Sequence, residues 1–202
     1  PQDREQALDV IVAATKGIAL DESAHHVSVR ARTPARAPAP VSVTDLVAPD
    51  GPTSGRGRVR VTGLPHRDGT WSWVVDVPGT RTFDPRAGDD PWDLTSNVLL
   101  SAERQTLTTR AVAVALADAQ RRAGASGKGR VMLTGHSQGG LTAAALAADP
   151  TFRSRHEVTH VVTTGAPIAS ALVPVLAPVT GAPGPVLATL PGPLTAVLAA
   201  VA

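Results

Sequence analysis

A serine stands between glycines directly after an apolar run in VMLTGHSQGG, residues 131–140. Gly135 and Gly139 lie two residues either side of Ser137, in the pattern G-x-S-x-G. A serine in this pattern occupies a sharp, strained turn from strand to helix, where larger flanking side chains would collide. The turn raises the hydroxyl above the sheet edge, and the next helix directs its amides and dipole there. The pattern therefore predicts a nucleophile, the alternative being a glycine-rich turn with an incidental serine.

The elements that must position this serine are predicted from hydrophobic periodicity. A buried strand is expected at 129–135, a small-residue helix at 138–149 and a further apolar strand at 157–165. Upstream, 101–123 has one apolar face at helical spacing and ends with Arg121 and Arg122. This alternation of strands and helices predicts an α/β fold with parallel pairing and helices on both faces of the sheet.

A hairpin and a long loop precede these elements. The segments 56–64 and 70–77 read as two strands, joined by a turn at Asp68-Gly69. Residues 78–93 then form a polar loop of a length that is usually functional or mobile.

The chain divides into three predicted segments. Residues 1–54 hold an N-terminal helix (3–20), a weakly alternating stretch that could form a strand (25–32) and loops rich in proline. Residues 55–167 hold the ordered α/β core. Residues 168–202 form an apolar tail in which Pro and Gly recur too often for a helix or a central strand.

Composition excludes several classes of function. A formal net charge of +2 is too small to indicate a nucleic-acid or membrane partner. Arg56, Arg58 and Arg60 alternate with smaller residues, which favours a solvated strand face over a basic binding patch. The absence of cysteine excludes disulfides and thiolate chemistry. No apolar run is long enough to span a bilayer, and cellular location and oligomeric state stay undetermined.

Two motifs resemble those of a known superfamily. GHSQGG after VMLT resembles the nucleophile elbow of the α/β-hydrolases, which include lipases, esterases and thioesterases. VVDVPGT (74–80), followed by DPWDLTSNV (90–98), is similar to the strand and Gly-Thr loop of lipase-like members. The wider run from Asp21 to Pro167 resembles uncharacterised lipase-like hydrolases of actinobacteria. The resemblance implies an α/β-hydrolase-like, mostly parallel sheet with helices on both faces.

The resemblance also implies roles for individual residues. Ser137 matches the nucleophile, and the backbone N–H of Gln138 matches one donor to the oxyanion. The second donor maps to Gly79-Thr80, where Thr80 would supply its N–H and its hydroxyl. The implied substrate is a small-molecule or lipid ester, or a thioester, cleaved through an acyl-enzyme. No cofactor or metal is implied, and a non-catalytic binding or interaction module is the alternative.

The rest of a serine hydrolase triad is not found in the sequence. In the superfamily, an acid and then a histidine follow the serine in the chain. The candidates after Ser137 are Asp149, His156, Glu157 and His160. We expect them at the opposite end of the sheet, because active sites of open parallel sheets lie at the carboxyl ends of the strands.

The upstream candidates fit the triad no better. His66 and Asp68 lie in the hairpin turn at the wrong end, and His25 and His26 begin an uncertain strand. His136 is expected to point away from the serine, in a packing role. The acids at the correct end belong to the 78–93 loop, for which a solvated loop is the favoured interpretation; they are Asp84, Asp89, Asp90 and Asp93. The sequence therefore predicts half a catalytic apparatus, with the C-terminal strands that would carry the acid and the base missing.

Overall fold

The computed structural model describes residues 2–32, 40–42, 45–46, 58–86, 88–101, 105–125, 129–166 and 196–200. Ten helices and strands can be assigned within these ranges. In chain order they are α1 (Gln2–Thr15), β1 (Arg60–Pro65), β2 (Trp71–Val77), α2 (Leu94–Ser101), α3 (Leu107–Arg122), β3 (Arg130–His136), α4 (Gln138–Ala148), α5 (Pro150–Arg155), β4 (Glu157–Thr164) and β5 (Ala196–Ala200).

The strands form one mixed sheet in the order β1-β2-β3-β4-β5. The inner strands β2, β3 and β4 are parallel, whereas β1 and β5 run antiparallel along the two edges. The α/β class, the parallel pairing of the inner strands and the β1–β2 hairpin are confirmed. The hairpin turn contains Gly69 in the left-handed region, at a φ of 81°, as Asp-Gly at a turn predicts.

The hydrophobic core lies between one face of the sheet and the helices. Alternation along β2 directs Trp73, Val75 and Val77 to this face, where they meet Val112 and Leu116 of α3. Burying each such side chain stabilises the fold by roughly 1.5–3 kcal/mol relative to leaving it in water. Alternating residues along each strand therefore determine which face the helices cover.

The described helices that contact the sheet share that face. Residues of α3, α4 and α5 belong to a single core cluster with one set of alternating strand residues. The contacts of these helices with the sheet lie on this face, and the predicted helices on the other face stay a prediction. The predicted strand at 25–32 is wrong, because this stretch has no strand pairing.

The predicted helix over 101–123 is in fact the second of two helices. Its apolar stripe belongs to α3, which begins after Thr106 with a reciprocal cap between Thr106 and Thr109. The preceding helix, α2, has an N-terminus capped by Asp93, whose Oδ1 accepts the N–H of Ser96 at 2.8 Å. Polar capping residues mark the N-terminus of each helix. Hydrophobic periodicity does not detect such caps, so it did not show that the segment contains two helices.

The segment after α1 is held to the core by one carboxylate. Glu22 accepts hydrogen bonds from the Ser96 hydroxyl in α2 and from the Leu107 N–H at the start of α3, the latter at 2.6 Å. The N–H of Leu20 also donates to the carbonyl of Pro85 at 2.9 Å. The N-terminal segment is therefore attached to the start of two helices and to the loop after β2.

The predicted tail contributes one described element. β5 pairs with β4 from Thr164↔Ala196 to His160↔Ala200, and its residues contain neither Pro nor Gly. The rest of the tail lies outside the described residues.

The predicted arginine series, Arg56, Arg58 and Arg60, is described in part, because Arg56 lies outside the described residues. Arg58 precedes β1 and is exposed, while the guanidinium of Arg60 lies 3.6 Å from the carboxylate of Asp76. In the described part of the chain, no helix is long and apolar enough to cross a membrane.

Candidate active site

Ser137 occupies a strained turn between β3 and α4. Its backbone has φ 53° and ψ −121°, a conformation that favours glycine. The turn is held by the Ser137 N–H, which donates to the carbonyl of Thr164 at 2.8 Å, and by the Ser137 carbonyl, which accepts the N–H of Gly140 at 3.0 Å. The predicted strand, strained turn and helix are confirmed.

The glycines around the serine are required by close backbone contacts. A Cβ on Gly139 would lie 2.1 Å from the carbonyl oxygen of Val77, and one on Gly135 would lie 2.3 Å from the carbonyl carbon of Gly139. Both contacts are with backbone atoms, which cannot move aside as a flexible side chain would. The motif therefore lets β2, β3 and α4 meet at the turn.

The loop after β2 reaches the same end of the sheet as Ser137. Because β2 and β3 are parallel with Val77 opposite Gly135, both strands end at one edge. A Cβ placed on Gly79 would be 3.5 Å from the Cβ of Ser137. The structure thus brings Gly79 close to Ser137, and Thr80 follows Gly79 in the same loop.

Two backbone N–H groups at the Ser137 end of the sheet are unpaired within the described residues. In the described part of the chain, neither the N–H of Thr80 nor that of Gln138 donates to a protein acceptor. The first amides of a helix have no partner within it, so the Gln138 N–H points outward from α4. The Gln138 side chain is 1% exposed, and its Nε2 donates to the Asp93 carbonyl at 3.1 Å, which fixes the residue.

The hydroxyl of Thr80 has a partner that sequence reasoning missed. Nδ2 of Asn97 donates to Oγ1 of Thr80 at 2.8 Å. Asn97 lies in the first turn of α2, seventeen residues after Thr80, and its own N–H donates to the Asp93 carbonyl at 3.2 Å. The sequence feature that could have indicated Asn97 is its place in DPWDLTSNV, as a polar residue in the helix turn that follows the capping residue Asp93.

Most histidines lie away from the serine. His66 bonds Ser72 in the hairpin turn at 2.7 Å, and His156 packs on Phe152 before β4, with ring centroids 4.5 Å apart. Burial lowers the pKa of His156, which favours its neutral form. His160 pairs with Met132 in the middle of β4, so none of these residues stands at the Ser137 edge.

The acids after the serine are also remote from it. Asp149 caps α5 by accepting the Thr151 N–H at 2.7 Å. Glu157 begins β4 opposite Arg130, at the starting ends of the parallel strands. Their expected positions at the far end of the sheet agree with the structure.

His136 is at the Ser137 edge but packs between glycines. A Cβ on Gly79 would lie 3.3 Å from its Nδ1, and one on Gly165 would lie 3.1 Å from its Nε2. No hydrogen bond in the described part of the chain uses the Ser137 hydroxyl. The imidazole therefore lies beside the two glycines and makes no hydrogen bond with the Ser137 hydroxyl, while its packing role stays a prediction.

The interpretation of the loop acids as solvated needs one correction. Asp93 is 2% exposed, and burial raises its pKa although hydrogen bonds from Ser96 oppose the change. It caps α2 and does not face solvent. The other acids fit the prediction better, since Asp84 is exposed beside Arg86 and Asp89 is exposed, while Asp90 is half-buried, 3.4 Å from Arg81.

A groove elsewhere on the molecule is separate from this turn. It has a volume of about 590 Å³ and lies between α1 and the start of α3, with Lys16, Glu22 and Arg110 in its lining. Across the ranges given above, no group of three or more His, Cys, Asp or Glu side chains could hold a metal ion.

Comparisons with protein-family models, curated proteins and solved structures found no match to this chain. A function for this chain must therefore be inferred from the residues around Ser137 and from the two motifs that resemble those of the α/β-hydrolases.

Proposed function

We propose that this chain has an α/β-hydrolase-like fold and that Ser137 is the nucleophile of a serine hydrolase acting on a carboxylic ester or thioester. The observation that carries the proposal is a serine held at a φ that favours glycine, at the edge of a parallel sheet. Backbone strain of this kind costs about 1–3 kcal/mol and is concentrated at functional sites.

The chemistry assigns one task to each group at the turn. Ser137 Oγ forms a bond to the carbonyl carbon of the substrate while its proton passes to a base. The carbonyl oxygen becomes an oxyanion, which the N–H groups of Gln138 and Thr80 and the Thr80 hydroxyl stabilise. The alcohol or thiol then leaves with a proton, and water releases the acid from the acyl-enzyme.

The base is the part of this reaction for which the described residues offer no candidate. The Ser137 hydroxyl makes no hydrogen bond there, so solvent must accept its proton. Enzymes that lose a triad member retain roughly 10³–10⁴-fold catalysis over water from the oxyanion hole and binding alone. We therefore expect slow ester hydrolysis from this chain.

A non-catalytic binding module is the second candidate function. The same unpartnered hydroxyl favours it, because binding requires the fold but no base. Such a module would bind an ester or acid at this edge of the sheet without turnover.

Hydrolysis of p-nitrophenyl butyrate with added imidazole tests the proposal. Imidazole is the group that most often serves enzymes as general base, so it should increase turnover by the wild-type chain. The Ser137→Ala variant, assayed at the same imidazole concentrations, measures catalysis by imidazole alone. Equal rates for the two proteins at every concentration would exclude the nucleophile and favour the binding module.

A further inference from the structure

The Thr80 hydroxyl is held in one orientation by its partner. Asn97 Nδ2 donates to Thr80 Oγ1 at 2.8 Å, and both residues are half-buried. A hydroxyl has one proton to donate and two lone pairs to accept with. When an amide N–H occupies a lone pair, the hydroxyl proton is left free to donate to another acceptor.

The amide that orients Thr80 is tied to the turn that carries the serine. The Asp93 carbonyl accepts both the Asn97 N–H, at 3.2 Å, and Nε2 of the Gln138 side chain, at 3.1 Å. Gln138 directly follows Ser137, so one carbonyl links the two sides of the site. The loop is also closed at its base, because the N–H groups of Arg81 and Thr82 donate to the Trp92 carbonyl at 2.7 and 3.2 Å.

We propose that Asn97 is a positioning residue that directs the Thr80 hydroxyl proton toward the oxyanion formed at Ser137. The proposal rests on the proposed function and adds a residue to it. Asn97 acts through Thr80 and does not touch the substrate. Its effect should therefore depend on the presence of the Thr80 hydroxyl.

The test measures the Ser137-dependent part of p-nitrophenyl butyrate hydrolysis with imidazole, taken as the rate above that of Ser137→Ala. Thr80→Val should reduce this rate roughly 100-fold, the lower end of the loss of an oxyanion donor. Asn97→Ala should reduce it about tenfold, as for the loss of one orienting hydrogen bond. In the Thr80→Val background, Asn97→Ala should change nothing further.

Asn97→Asp separates positioning from structural support. A carboxylate would accept the Thr80 proton and withdraw it from the oxyanion, so activity should fall further than in Asn97→Ala. A negative charge in the first turn of a helix is favourable, so stability should be kept. If Asn97→Ala does not fold, this variant decides alone.

Thr95→Val is the matched control. Thr95 also lies at the start of α2 and also tethers the loop, through its hydroxyl bond to the Pro85 carbonyl at 2.9 Å. It should leave the Ser137-dependent rate within about twofold, because its hydroxyl bonds the Pro85 carbonyl and not Thr80, and that carbonyl keeps the N–H of Leu20 as a donor. Ser137-dependent hydrolysis that survives unchanged in Asn97→Asp would overturn this inference alone. Absence of any Ser137-dependent rate would overturn the proposed function and this inference together.

Discussion

Ser137 has a backbone conformation suited to glycine and a side chain that glycine would remove. Its φ of 53° and ψ of −121° are strained for any residue with a Cβ. The surrounding chain maintains the turn through the Thr164 and Gly140 hydrogen bonds. A serine at such a position lowers the stability of the fold relative to glycine. A function for the hydroxyl would explain why a serine stands there despite that cost.

Replacing the serine should separate strain from chemistry. Ser137→Gly relieves the φ strain, whereas Ser137→Ala keeps it, and both remove the hydroxyl. We expect the free energy of unfolding of Ser137→Gly to exceed that of Ser137→Ala by roughly 1 kcal/mol, after the entropic cost of glycine. Urea denaturation of the two variants measures this difference. A less stable Ser137→Gly would mean that the turn is not strained.

The geometry of the turn at Ser137 could be predicted from sequence because its signal is local. Ser137, Gly135 and Gly139 were identified because the whole motif lies within five residues. Asn97 and Glu22 were missed, because their partners lie 17 and 74 or more residues away. A hydrogen bond between distant residues leaves no spacing pattern in a single sequence.

At the scale of elements, polar residues determine where the helices begin. Asp93 caps α2, Thr106 caps α3, and Glu22 joins the two. Hydrophobic periodicity identified the buried face of α3 but not its start. A strand pattern likewise shows which residues are buried but not which element covers them.

The contribution of Glu22 to the free energy of unfolding should fall as pH rises, because burial disfavours its charged form. Burial raises the pKa of Glu22 above its ordinary value of 4.5, the negative charge of Asp93 adds to this, and the hydrogen bonds from Ser96 and Leu107 oppose it. A carboxyl group whose pKa is raised by folding stabilises the fold most at pH values below its pKa in the unfolded chain, where it is protonated in both states. This stabilisation is lost as pH rises through its pKa in the folded state.

Glu22→Gln should remove this pH dependence. The amide keeps both bonds, because its oxygen can accept the Leu107 N–H and its nitrogen can donate to the Ser96 hydroxyl. The free energy of unfolding of Glu22→Gln, relative to wild type, should be constant below about pH 4.5 and increase above it. Urea denaturation at a series of pH values tests this. A constant difference, or one that decreases with pH, would contradict the buried state of Glu22.

At the scale of the whole molecule, one end of the sheet collects the groups that could stabilise an oxyanion. The parallel strands β2 and β3 both end there, followed by the Gly79-Thr80 loop and by Ser137. The described histidines other than His136 are distributed over the rest of the chain, in turns, in the middle of a strand and in the segment after α1. Under the proposed function, efficient turnover would require a proton acceptor that these residues do not supply.

Covalent labelling of Ser137 tests this account most directly. The chain is incubated with a fluorophosphonate, with and without imidazole, and the intact mass is followed over time. We predict slow formation of one adduct per chain, accelerated by imidazole, mapped to the peptide that contains Ser137, and absent from Ser137→Ala. Failure of Ser137 to react under any of these conditions, or equal labelling of Ser137→Ala, would contradict its assignment as the nucleophile.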